Sequence, residues 1–131
     1  MTHYSDIELE IINISLGVTI KLKRLENNLS QLDLGNMSNT DNTIVGRIER
    51  SEHISSWLNI YKVSQELNIE YSSLFILKKE IEILKMIDNC LAIEKRLTKE
   101  KQSFYNSLKI RLQNLFIELK SVNEKPKNIE L

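Results

Sequence analysis

One proline, at position 126, and three glycines are all that the 131 residues offer to interrupt a helix. Proline breaks the helical hydrogen-bond ladder, and glycine in a helix interior costs about 1 kcal/mol relative to alanine. Leucine, isoleucine, lysine and glutamate are abundant, and no run alternates apolar and polar residues in the manner of a half-buried strand. The chain therefore predicts an all-α fold.

Ser5 and Glu8 have the spacing of a capping box, and Ile7, Ile11, Ile14 and Val18 follow at helical intervals, so a first helix is predicted to about Asn27. Asn28 suits a left-handed residue closing it. Gly17 inside that helix implies close approach of another element. The segment Ser30 to Arg50 reads as two short helices joined by a tight turn. Ser30 caps a helix carrying Leu32 and Leu34, Ser38-Asn39-Thr40 makes the turn, and Asp41 caps a helix that buries Val45 and Ile48. Ser51 to Ser55 reads as a loop. Ser55 or Ser56 then caps a helix with the stripe Trp57, Ile60, Tyr61, Val63 and Leu67, and Asn68 is a second left-handed candidate. With Ile69, Tyr71, Leu74 and Phe75 returning to the same core, residues 1–75 form one five-helix domain.

From residue 76 to 122 the pattern is amphipathic, highly charged and free of glycine and proline, which predicts long coiled-coil-like helices serving dimerisation. Leu84, Leu91, Leu108, Leu112, Leu115 and Leu119 are the seam candidates. The polar run from Thr98 to Ser103 fits either a turn in a hairpin or a stutter in one long helix. Residues 123–131 are predicted to be a flexible tail.

The charge is unevenly spread. From Met1 to Phe75 six basic residues stand against ten acidic, a net of −4, and the remainder has twelve against eight, a net of +4. Cys90 stands alone, which excludes an internal disulfide, and His3 and His53 are too isolated to make a metal site. No apolar run approaches the roughly 18 to 20 residues of a membrane span, and the N-terminus lacks signal-peptide character, so a cytoplasmic protein without membrane contact is expected. No phosphate loop or nucleophile-base arrangement suggests an enzyme, and no catalytic residue, metal or cofactor is expected.

Ile20 with Arg24, Leu29-Ser30-Gln31 with Leu34, Val45 with Arg47-Ile48-Glu49-Arg50, and Leu67, Ile69, Leu74 and Phe75 form a gapless set. On these residues Leu16 to Phe75 resembles the Xre/Cro-type helix-turn-helix family of bacterial and phage DNA-binding regulators. The resemblance implies a structural ion pair between Arg24 and Glu49, and a phosphate contact from Gln31. The family usually has glycine where this chain has Asn39 and Ser51, and alanine where it has Gly35. Asn39 tolerates the left-handed conformation, Gly35 implies looser packing, and Ser51 implies altered geometry at its helix end.

By position Asn42, Thr43 and Arg47 face outward on the recognition helix. An amide bonds adenine N6 and N7, a guanidinium forks onto guanine O6 and N7, and a threonine methyl meets a thymine methyl, so these three are the base-reading candidates. Ile44 adds an apolar groove contact, Gly46 lets the helix backbone come close to a ligand, and Arg50, His53 and Lys62 are further phosphate candidates. The expected function is a homodimeric, sequence-specific transcriptional regulator, a repressor, whose partners are double-stranded DNA, a second copy and a regulatory protein. The charge split supports an alternative, a helix-turn-helix module that holds a protein partner through its coiled coil without binding DNA. It also permits Lys95, Arg96, Lys99 and Lys101 to fold back on the acidic domain.

Overall fold

Side-chain caps set where the first four helices begin in the computed structural model, which describes residues 3–124. Ser5 and Glu8 close a capping box on α1 (Asp6–Glu26), and Ser30 and Asp33 close another on α2 (Gln31–Met37). The Asp41 carboxylate accepts from the Ile44 amide at the start of α3 (Asn42–Arg50), and Ser56 Oγ accepts from the Asn59 amide at the start of α4 (Trp57–Glu66). A 3-10 helix (Tyr71–Phe75), α5 (Glu80–Ile93) and α6 (Lys99–Glu124) complete an all-helical chain, with no strand among the described residues. Asn28, Asn39, Ser51 and Asn68 adopt left-handed backbone at the helix ends and the turn. α6 runs through Asn123 and Glu124; the rest of the expected tail, 125–131, lies outside the described residues.

Two apolar clusters share α1. Leu16 and Ile20 on one side of it pack with Leu34, Val45, Ile48, Ile60, Val63, Leu67 and Leu74. Ile11, Ile14 and Val18 on the other side pack with Ile83, Ile87 and Cys90 of α5 and with Tyr105, Leu108, Leu112 and Leu115 of α6. The boundary at Phe75 thus separates two sets of helices that are both seated on α1.

The C-terminal helices depart from the expected seam. The chain breaks at Glu94–Thr98, and α6 folds back antiparallel to α5, with an Asp88–Lys109 ion pair between them. Leu108, Leu112 and Leu115 are buried against α1, and Leu84, Leu91 and Leu119 pack against the same cluster. An amphipathic helix must bury its stripe somewhere, and here α1 receives it. Leu108, Leu112 and Leu115 are therefore spent inside the chain, and Leu84, Leu91 and Leu119 are half-buried at its edge.

The stripe predicted for α4 also divides. Ile60, Val63 and Leu67 are buried, whereas Trp57 is 67 % exposed and Tyr61 and Phe75 are more than one third exposed. Tyr71 packs against the core at its edge, and Tyr61 and Phe75 contact its ring from the exposed side.

Gly17 sits where α1 meets the end of α3. A Cβ there would lie 2.3 Å from Ser51 Oγ and 2.5 Å from the Ile48 carbonyl oxygen. We expect Gly17→Ala to destabilise the protein by about 1–3 kcal/mol through overpacking. On an open helix face the same change would stabilise by about 1 kcal/mol, so the sign of the shift in a urea melt decides.

Candidate nucleic-acid interface

The orientation of α3 is set by a buried ion pair. Arg24 Nε donates to Glu49 Oε2 at 2.7 Å and Nη2 donates to Oε1 at 2.9 Å. The remaining donor, Nη1, reaches the Leu29 carbonyl at 2.8 Å, and Gln31 Nε2 donates to Glu49 Oε1 at 3.1 Å. Burial opposes the charge on Arg24, but the hydrogen bonds and charge of Glu49 outweigh it and raise the guanidinium pKa. The Gln31 amide, expected on a phosphate, is thus engaged with Glu49, and its half-buried position leaves it at the edge of the site.

The turn between α2 and α3 is as tight as the backbone allows. A Cβ on Gly35 would lie 2.6 Å from the Asp41 carbonyl carbon and 2.8 Å from the Asn42 amide nitrogen. Gly35 therefore permits a close approach and does not loosen the packing. Ser38 Oγ bonds the Leu34 carbonyl and the Thr40 hydroxyl, which satisfies the turn without a glycine. Asn39 supplies the left-handed residue at φ 56°.

On α3 the two faces are cleanly divided. Val45, Gly46, Ile48 and Glu49 are buried, and Asn42, Thr43, Arg47 and Arg50 are exposed. Ile44 is half-buried and lines a groove of about 380 Å³ with Arg47, Arg50, His53 and Asn59. Gln31 and the Arg50 guanidinium lie over Gly46, with Arg50 Nη1 2.9 Å from where a Cβ would stand. Arg50 approaches Glu52 at 4.0 Å on the surface, and His53 is exposed with its carbonyl accepting from Asn13. Lys62 is half-buried on α4.

The end of α3 is held from outside α2 and α3. Ser51 takes a left-handed conformation that a side chain rarely adopts, at φ 56°, and is 1 % exposed. Its hydroxyl donates to the Asn13 carbonyl, and its own carbonyl accepts from Arg111 Nη1 at 2.9 Å and from Asn13 Nδ2. These bonds replace the freedom a glycine would bring. Arg111 is 60 residues away in sequence, and the missing glycine at 51 was the one sign that such support was needed.

A second feature that spacing did not reveal is the place of the α5–α6 turn. Lys95 and Lys101 come to rest beside Ser30, Gln31 and Asn42, across a cavity of about 560 Å³ whose other wall includes Lys21 and Arg24. Part of the basic cluster therefore does lie against the acidic half of the chain. Lys99 lies at another place on that half, lining a shallow depression with Glu52 and Phe104.

No protein-family model, curated protein or solved structure matches the chain. No helix among the described residues is long and apolar enough to cross a membrane.

Removing one partner of a buried pair leaves a charge uncompensated. We expect Arg24→Met or Glu49→Leu alone to cost about 3–5 kcal/mol, and the double replacement to recover much of it. Chemical denaturation of the two single variants and the double variant checks this; additive losses would contradict it.

Proposed function

We propose that this chain is a sequence-specific DNA-binding regulator that lays α3 in the major groove while α2 crosses the phosphate backbone. The division of α3 carries this reading. Its buried face is fixed by Val45, Ile48 and the Glu49 ion pair, and the opposite face presents Asn42, Thr43 and Arg47, three side-chain types suited to base edges. The Arg24–Glu49 pair and the succession of α1 to α4 with the 3-10 helix support an Xre/Cro-like domain.

In this reading Arg47 reads a base pair and Asn42 and Thr43 read its neighbours. Arg47→Ala should cost about 1–3 kcal/mol on the preferred site and relax preference at one base pair. Selection from a random duplex pool, followed by titration of single-base variants, tests it. Equal losses on every sequence would refute base reading by Arg47. No binding to any duplex at low salt would favour a helix-turn-helix module that holds a protein partner.

The proposal includes a homodimer reading two half-sites about 34 Å apart or a multiple of that distance. With Leu108, Leu112 and Leu115 turned inward, the contact proposed for the second copy is the aromatic face of Trp57, Tyr61 and Phe75. This face is apolar and exposed, and its stacked rings are already ordered. Trp57→Asp should weaken self-association at least tenfold in sedimentation equilibrium while leaving the melting transition in place. A wild-type chain that stays monomeric at micromolar concentration would remove the dimer from the proposal.

A further inference from the structure

We infer that the cavity between α1, the start of α2 and the α5–α6 turn takes a phosphate of the DNA backbone, with Lys21 and Lys95 as its cations. The inference rests on the DNA-reading function proposed above. Ser30, Gln31 and Asn42 on the lip belong to the first residues of α2 and α3, the ends that face the duplex when a recognition helix enters the major groove. A phosphate lying against that lip is flanked by the cavity.

Lys21 is the most informative group in it. Its ammonium lies over the ring faces of Phe104 and Tyr105, at 4.7 and 4.5 Å from their centroids. Ring faces stabilise a cation without accepting its hydrogen bonds in the ordinary sense. Among the described residues no carboxylate pairs with this ammonium at ion-pair distance. Burial draws its pKa down against the opposing pull of Glu49 and Glu94. A mostly buried cation held on ring faces, in a residue that helps to line a cavity, suits an anion from outside the chain.

Arg24 is held by Glu49, whereas the Asp33 carboxylate accepts from the Ser30 amide and keeps its negative charge. Glu94 accepts from the Tyr105 hydroxyl and pairs with Lys101 at 3.2 Å, and Lys101 also donates to the Arg96 carbonyl. These bonds lock the turn and neutralise its acid. Lys95 remains, exposed at the rim, and its charge helps to hold the Asp33 carboxyl below its ordinary pKa after the larger effect of the Ser30 hydrogen bonds. Lys21 and Lys95 therefore line the cavity without a carboxylate at ion-pair distance among the described residues, Asp33 is the negative charge beside them, and the C-terminal hairpin supplies one of the two cations.

The test is a salt titration of the full chain on random-sequence duplex, read by fluorescence anisotropy, for the wild type, Lys95→Ala, Lys95→Glu, Lys21→Met and Arg47→Ala. Each loss of a phosphate contact should flatten the slope of log affinity against log salt by about 0.9, so that the affinity lost between about 50 and 200 mM salt shrinks roughly 3.5-fold. Lys95→Ala should weaken preferred and random sequences alike, and Lys95→Glu should weaken them further. If Lys21→Met lowers the melting temperature, the two Lys95 variants decide alone. Wild-type affinity and slope, or tighter binding, in both Lys95 variants would overturn the phosphate site, while weakening on the preferred site by Arg47→Ala would leave base reading intact. Failure of the wild type to bind duplex at low salt would overturn both.

Discussion

The Arg24–Glu49 ion pair is the interaction on which the arrangement of the first three helices depends. It joins the last turn of α1 to the last turn of α3, and through Leu29 and Gln31 it also holds the link into α2. Two charges in an apolar interior gain stability only when their hydrogen bonds are complete, and here they are: no buried side-chain nitrogen or oxygen among the described residues lacks a partner. Apolar side chains of similar volume could fill the same space. They would not fix the rotation of α3 about its axis, and that rotation decides which residues face outward.

The second dependence is on α1 as a shared wall. A single helix over residues 72–121 would extend about 75 Å and would need a partner along its whole stripe. Folding α6 back on α5 halves that length and lets α1 cover it. Fully burying a leucine or isoleucine side chain is worth about 1.5–3 kcal/mol, so the inward-facing leucines outweigh what an exposed seam could retain without a second chain. The same fold-back brings Arg111 onto the Ser51 carbonyl, so the C-terminal hairpin props the end of α3 as well as completing a core.

What could be read from the residues follows the range of the interactions. Caps at Ser5, Ser30, Asp41 and Ser56 and left-handed asparagines at 28, 39 and 68 are decided within a few residues, and the structure has them where the sequence predicts them. The Arg24–Glu49 contact was legible only through a family resemblance, because 25 positions separate its partners. Two features escape the sequence because helical periodicity says which residues share a face but not which face is covered. They are the exposure of Trp57 and Tyr61 and the inward turn of Leu108 and Leu112. The break after Ile93 has no glycine or proline. Glu94 bridges to Lys101 and Tyr105, a network of side chains seven and eleven positions on, and local propensity cannot register it.

The charge split acquires a different meaning once the hairpin is folded. A −4 half and a +4 half in one extended chain would be independent surfaces; here the basic turn lies at the edge of the acidic half, beside the starts of α2 and α3. Non-specific affinity for DNA grows with the number of phosphates neutralised, so a helix-turn-helix with few cations of its own is slow to saturate on random sequence. Adding a few cations at one defined edge raises affinity for every docked duplex alike. In the proposed function that arrangement supplies general affinity and positions the duplex, and the choice among competing sequences is left to Asn42, Thr43 and Arg47.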